Sequence, residues 1–160
     1  MTVVDALVAL AVLAWVISRQ LRPRAVSDRR LRVVGVLALV GAVQLAQAVS
    51  RGPHPGLLGW ALLVLGLVVG AVLGVWRSAT TRLWFVDGRA WVRGGWATLA
   101  LWVVGMAVHV GLDLVGRAVD PAAEPVNTAS VLLFVAVSLG AQAVATARRA
   151  RVARSAPVGV

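Results

Sequence analysis

The sequence predicts an all-α protein, a polytopic bundle of five transmembrane helices with a short cytoplasmic β-hairpin in the third connection. Of its 160 residues, 60% are hydrophobic and only 14% are charged, against about 25% charged residues in an average soluble domain. A soluble domain this small has too little interior to cover so much apolar surface. The apolar residues also fall into runs of about 20, the length that a helix needs to cross a bilayer.

Five apolar runs form one predicted transmembrane domain over residues 1–147. Backbone groups in lipid must bond to one another, and runs this uniform lack the alternation of barrel strands, so each run is expected to be a helix. The predicted spans are residues 2–18, 31–50, 57–76, 95–116 and 126–147. Residues 148–160 are expected to form a basic, disordered cytoplasmic tail.

Arginine placement predicts the orientation of these spans. The chain has 16 Lys and Arg residues together and a formal charge of +10, and every basic residue is arginine. Fourteen of them lie in the first connection, the third connection and the tail, counting Arg32 at the very start of the second span with the first connection, whereas the other two connections contain only Arg51 and Arg117. Because basic residues accumulate on the cytoplasmic side, the N-terminus is predicted outside and the C-terminus inside. Their position between apolar runs favours anionic lipid headgroups as partners and argues against nucleic acid.

The third connection contains a hairpin pattern. Asp87–Gly88 is a strong type I′ turn pair between aromatic and β-branched residues. This turn sets three facing pairs on one side of the hairpin: Val86 with Arg89, Trp84 with Trp91, and Arg82 with Arg93. A tryptophan pair flanked by arginines suits a docking site for anionic lipid or an acidic partner, and the alternative is a tight connector lying on the headgroups.

Polar residues within the spans identify a candidate binding site, because such residues are costly in lipid. Two pairs each share one helix face, since their members are three or four residues apart. Rises of 1.5 Å per residue place both pairs at matching depths in the outer half of the membrane, with an acidic residue of the first span at a similar level. The predicted ligand-binding residues are Gln44, Gln47, His109, Asp113 and Asp5.

Several ligands suit such a site, and a purely structural role remains open. The site could bind a quinone, haem, a lipid headgroup or the tail end of an isoprenoid, or it could relay protons, with His109 as a candidate haem ligand. No protein-only metal site is expected, since the chain has two histidines and no cysteine. In the structural alternative the amides bond across helices, and Asp113 pairs with Arg117 four residues later.

A stripe of small residues on the third span predicts a helix interface. Gly66, Gly70 and Gly74 repeat at four-residue spacing, which lets another backbone approach closely. The favoured partner is the fourth span, where small and polar residues repeat the same spacing. The alternative partner is a second copy of the chain in a homo-oligomer.

Several short motifs stand out in the third connection and beside it: Thr81-Arg82-Leu83-Trp84, Asp87-Gly88, Trp91, Arg93-Gly94 and Leu101-Trp102. A further motif, Arg19-Gln20-Leu21-Arg22-Pro23-Arg24, lies in the first connection. Together they resemble the CcdC-like family of bacterial membrane proteins, which is common in actinobacteria, and the last motif resembles the first cytoplasmic loop of that family. The resemblance implies a small integral protein of four or five helices in the bacterial cytoplasmic membrane. It supplies no settled activity and no catalytic residues.

Three function classes follow from these patterns. Short connections without a catalytic motif favour a non-enzymatic accessory or small-ligand-binding bundle. A membrane-embedded enzyme acting on an isoprenoid or quinone-like substrate would use Asp113 as its acid, since an acid in an apolar site can stay protonated, but no second acid or base is evident. A small transporter or channel subunit is the third class, although inverted repeats are not found.

Overall fold

The computed structural model describes residues 22–26 and 29–155. The predicted first span at residues 2–18, together with Asp5, lies outside the described residues. Most of the described chain is helical, as predicted, and its four long helices are each long and apolar enough to cross a membrane. They are α1 (Arg29–Arg51), α2 (Leu57–Thr80), α3 (Trp96–Val119) and α4 (Glu124–Ser155), with a 3-10 turn at Pro121–Ala123 before α4.

Helix α4 is central to the bundle. It packs along both α1 and α2, while α3 packs chiefly on α2. The α1–α4 contact is close because α1 presents a glycine there: a Cβ added at Gly41 would lie 2.8 Å from the backbone nitrogen of Leu133. This arrangement places α1 on one side of α4, away from α3.

The bundle has an apolar exterior and a partly polar interior. Many large aliphatic side chains on the outer faces of the helices are more than half exposed, for example Leu39, Val72 and Leu114 on three different helices. Conversely, Thr98 and Ser138 are at most 1% exposed. Water would penalise this distribution strongly, whereas lipid favours it. The described helices therefore have the surface of a membrane protein; the fifth span and the orientation stay predictions.

A three-stranded antiparallel sheet lies at one end of the bundle, which we call the hairpin end. Its strands are β1 (Arg24–Ala25), β2 (Arg82–Val86) and β3 (Arg89–Arg93), in the order β1-β3-β2. Asp87 and Gly88 both have positive φ, 49° and 71°, as a type I′ turn requires. The hairpin and all three facing pairs are confirmed, whereas β1, which comes from the first connection, was not predicted.

The C-terminal part of α4 corrects the prediction of a disordered tail for residues 148–155, and residues 156–160 lie outside the described residues. The helix continues to Ser155, so residues 148–155 are helical, and its 32 residues span about 48 Å, well beyond a hydrocarbon core of about 30 Å. Arg149 donates to the carbonyl of Ser78, and Arg154 Nη2 donates to the Gly88 carbonyl at 2.9 Å. Arginine is a good helix former, and these contacts hold the extension against the end of α2 and the hairpin turn.

Candidate functional site

A small cavity lies between α2, α3 and α4, near the end of the bundle opposite the hairpin, which we call the turn end. Its volume is about 20 Å³, room for roughly one water molecule. Leucines and Gly66 form much of its wall. The polar side chains on its lining are His109 and Asp113 of α3 and Asn127 and Ser130 of α4.

Helical spacing positions the polar lining. His109 and Asp113 are one turn apart on α3, and both reach the cavity, as their four-residue spacing predicts. The His109 ring stacks on Phe134 with ring centroids 4.5 Å apart and 23° between the planes. The residue Phe134 lies four positions after Ser130 on α4, so the ring forms the floor of the cavity towards the hairpin end.

Three buried polar atoms beside this cavity lack hydrogen-bond partners among the described residues. They are His109 Nε2, Asp113 Oδ1 and Asn127 Nδ2. A buried donor or acceptor without a partner costs about 1–3 kcal/mol. The three atoms are an imidazole nitrogen, a carboxylate oxygen and an amide nitrogen, and the amide nitrogen of Asn127 lies towards Gly116 of α3, where an added Cβ would be 2.5 Å from it.

An ion-pair network lies beside the cavity at the turn end. Arg117 Nη2 is 2.9 Å from Asp113 Oδ2, and Arg117 Nη1 is 3.0 Å from Glu124 Oε1. The Arg117 and Glu124 side chains are 43% and 57% exposed, whereas the Asp113 side chain is 20% exposed. The pairing that the sequence left open as a structural alternative is therefore present. It uses one carboxylate oxygen of Asp113 and leaves the other beside the cavity.

A second carboxylate joins α2 to α3 at the turn end. Asp120 Oδ2 accepts a hydrogen bond of 2.7 Å from the backbone nitrogen of Gly56, just before α2 begins. A Cβ added at Gly59 would lie 2.7 Å from the same oxygen. The absence of a side chain at Gly59 therefore leaves room for the Asp120 carboxylate. Asp120 lies between the predicted spans 95–116 and 126–147, and the sequence does not reveal this long-range contact because its partner is a backbone group.

The two glutamines do not join this site. Gln44 and Gln47 are exposed on α1 and are absent from the cavity lining. Their predicted depth along α1 matches that of His109 and Asp113, but α1 packs on α4 and contributes no residue to the lining, which comes from α2, α3 and α4. Depth alone therefore did not predict proximity. Asp5 lies outside the described residues.

The glycine stripe packs inside the bundle, chiefly on α4 and not on α3 as favoured from the sequence. Cβ atoms added at Gly70 and Gly74 would meet the Phe134 ring, at 2.7 Å, and the Ser138 carbonyl. Only Gly66 faces α3, where its Cβ would lie 3.6 Å from Leu112. The glycine stripe is thus part of an intramolecular interface, in which it packs against the inner face of α4.

The inner face of α4 carries polar residues along much of its length. These residues recur three, four or eight positions apart, and each is at most 6% exposed: Asn127, Ser130, Ser138, Gln142 and Thr146. Phe134 occupies the missing position and separates a polar group near the turn end from one near the hairpin end. This pattern was readable from helical spacing, but each residue alone is common in apolar helices.

The polar group near the hairpin end includes a buried arginine. Arg77 is only 2% exposed, although its charge had suggested that it belongs to the third connection. Its Nε donates to the Leu73 carbonyl at 3.3 Å, its Nη2 donates to the Ser138 hydroxyl, and its guanidinium carbon lies 4.2 Å from the Trp102 ring centroid. Helix α2 therefore continues past Trp76 and brings a cation into the interior.

The structure brings the residues of the predicted hairpin interface together as facing pairs. Arg82 and Arg93 face each other and are exposed, while Trp84 and Trp91 face each other and are half-buried. Docking of a lipid or protein on this face stays a prediction. Residues 22–26 and 29–155 contain no group of three or more His, Cys, Asp or Glu side chains placed to hold a metal ion.

Comparison with known proteins adds no family to this description. No protein-family model matches the chain, and neither a curated protein nor a solved structure matches it.

Proposed function

We propose that the protein is a small, non-enzymatic integral membrane protein that binds a small polar ligand in the cavity at the turn end. The observation that supports this proposal is that three residues lining one cavity, His109, Asp113 and Asn127, each carry a buried polar atom without a hydrogen-bond partner among the described residues. Interhelical packing alone would favour partnered groups at these positions. On the predicted orientation, this cavity lies in the outer half of the bacterial cytoplasmic membrane.

The cavity volume limits the class of ligand. A space of about 20 Å³ suits water or a polar molecule of similar size. A quinone ring or a haem would have to displace Phe134, which is 3% exposed and stacked on His109. Water-sized, hydrogen-bonding ligands are therefore favoured over the larger cofactors considered from the sequence.

The ion pair weakens the enzymatic alternative. Arg117 bonds to Asp113 through two nitrogens, at 2.9 and 3.1 Å. Both bonds end on Oδ2, so Arg117 occupies that oxygen of the carboxylate. Asp113 could act as an acid on an isoprenoid or quinone-like substrate only after that pair separates.

One observation favours a transporter or channel subunit as the second candidate. Polar residues on α4 lie on both sides of Phe134, from Asn127 near the turn end to Thr146 near the hairpin end. Movement of one aromatic ring would join the two polar groups. Proton or water flux into liposomes, compared between the natural chain and Phe134→Ala, separates this candidate from a closed binding bundle.

Membership of the CcdC-like family is also a proposal, supported by the hairpin motifs at residues 81–94 and by the small helical bundle that the family implies. It is compatible with a non-enzymatic role, because the family supplies no catalytic residues.

The two histidines make a direct test of ligand binding possible. In a His54→Asn variant the imidazole nitrogens of His109 are the only ones in the chain, so ¹⁵N-histidine solid-state spectra in lipid report on the cavity alone. Magnetisation transfer from mobile water to His109 is expected, and Asn127→Leu should abolish it by filling the cavity. Gln44→Leu, an exposed change on α1, is the matched control. Absence of transfer in the His54→Asn protein would refute the proposed site.

A further inference from the structure

Arg77 lies at the membrane boundary but inside the protein. It is 20 residues after Leu57, the first residue of α2, which corresponds to about 30 Å along the axis and thus to the full hydrocarbon thickness. An arginine at this level normally extends to water, yet Arg77 is 2% exposed. The charged side chain of Arg77 therefore lies in the interior of the bundle.

The direct partners of the Arg77 guanidinium are all uncharged. They are the Leu73 carbonyl, the Ser138 hydroxyl and the Trp102 ring, and Ser138 in turn donates to the Gly70 carbonyl at 2.8 Å. In the described part of the chain, the two ion pairs both belong to Arg117 at the turn end. A buried cation without a compensating anion is strongly unfavourable, so this arrangement calls for a negative charge.

Two residues beside Arg77 carry further buried donors: Trp102, whose ring the guanidinium contacts, and Ser78, the next residue of α2. The indole nitrogen of Trp102 is buried and, within residues 22–26 and 29–155, has no acceptor; the Ser78 hydroxyl is likewise unpartnered, in a residue 1% exposed. An indole N–H can only donate, and a hydroxyl can donate. Arg149 adds a second positive charge nearby, since it donates to the Ser78 carbonyl. The local chemistry is that of an anion site.

We propose that the hairpin end of the bundle binds a small inorganic anion of the chloride class, held by the Arg77 guanidinium, the Trp102 indole N–H and the Ser78 hydroxyl. The near-complete burial of Arg77 and Ser78 favours a monatomic anion, which needs the least room. This site is separate from the cavity at His109, with Phe134 between them, so either site can exist without the other.

Thermal unfolding of the full chain in detergent tests the site. Sodium chloride and sodium gluconate are compared at equal ionic strength and pH, because an anion that binds only the folded state raises the midpoint with its concentration. The natural chain should unfold at a higher temperature in chloride, and Arg77→Gln should remove that difference. Arg151→Gln, which removes an exposed charge on α4, should retain it.

Trp102→Phe gives a second test if Arg77→Gln does not fold. This change keeps an aromatic ring under the guanidinium and removes only the N–H. The half-saturating chloride concentration should rise about tenfold, as expected for one lost hydrogen bond to a charged group. The proposal is overturned if the natural chain unfolds equally in both salts. It is also overturned if Arg151→Gln loses the difference between the two salts as Arg77→Gln does. A third refuting result is that chloride has no effect in detergent and the protein is stabilised only when it is reconstituted in vesicles containing phosphatidylglycerol.

Discussion

Replacement of Gly74 by alanine tests the packing of α2 on α4. The added methyl group would collide with the Ser138 carbonyl and lie 3.1 Å from the Ala141 methyl. The first of these is backbone, which no side-chain rotation can move, so the two helices must separate. The contact also lies one turn from the Arg77–Ser138 hydrogen bond, and separation would weaken that bond as well.

The expected cost combines two opposing effects. Overpacking of a tight core costs about 1–3 kcal/mol, while alanine in place of a helical glycine returns about 0.5–1 kcal/mol. We therefore expect Gly74→Ala to destabilise the bundle by about 1 kcal/mol, within a range of about 0–2.5 kcal/mol. Gly35→Ala on α1 is the control, because the described structure places no heavy atom outside its own helix within 4 Å of the added Cβ. That control should be neutral or stabilising.

Reversible unfolding in mixed micelles, followed by tryptophan fluorescence, measures both variants. Size-exclusion chromatography of the same samples addresses the homo-oligomer alternative. If Gly74→Ala is as stable as Gly35→Ala, the assigned α2–α4 contact is wrong. If Gly74→Ala only dissociates an oligomer and leaves unfolding of the monomer unchanged, the glycine stripe is an intermolecular interface.

Three further substitutions test the site and its surroundings. Phe134→Ala removes the ring between His109 and Gly70 and should cost about 3–5 kcal/mol of unfolding free energy; a cost below about 1 kcal/mol would mean that the ring is not packed as described. Asp120→Ala removes the hydrogen bond to Gly56 and should cost about 1 kcal/mol in the same unfolding assay, with a neutral effect arguing against that contact. The double change Gln44→Leu and Gln47→Leu should stay within about 0.5 kcal/mol of the natural chain, because both side chains are exposed, and a larger loss would place them in a buried network.

The hairpin was the most predictable part of the fold. Its register follows from Asp87–Gly88 alone, because a two-residue turn with positive φ at both positions fixes every facing pair. Strand β1 could not be predicted in the same way, since a strand of two residues has no alternation to detect and pairs with a strand more than sixty residues away. Local chemistry was sufficient for the first feature and insufficient for the second.

Part of the candidate site, the shared face of His109 and Asp113, was predictable for a similar reason. The i, i+4 spacing of His109 and Asp113 places both on one face whatever the tertiary packing. Which helices contact that face depends on the packing of the bundle, and depth along a span does not determine packing. The sequence therefore placed Gln44 beside His109, whereas the structure does not. Arg77 was missed because a charge at the end of an apolar run normally indicates a loop, whereas here Trp102 and Ser138 cover it.

Side-specific labelling tests the central claim, that the described helices cross a membrane with the cavity near the outer face and the hairpin on the cytoplasmic side. The natural chain has no cysteine, so single cysteines at the exposed positions His54 and Arg89 can be labelled in intact cells with a membrane-impermeant maleimide. The account predicts that His54→Cys is labelled at once and Arg89→Cys only after permeabilisation. Labelling of both in intact cells, or of Arg89→Cys alone, would contradict it.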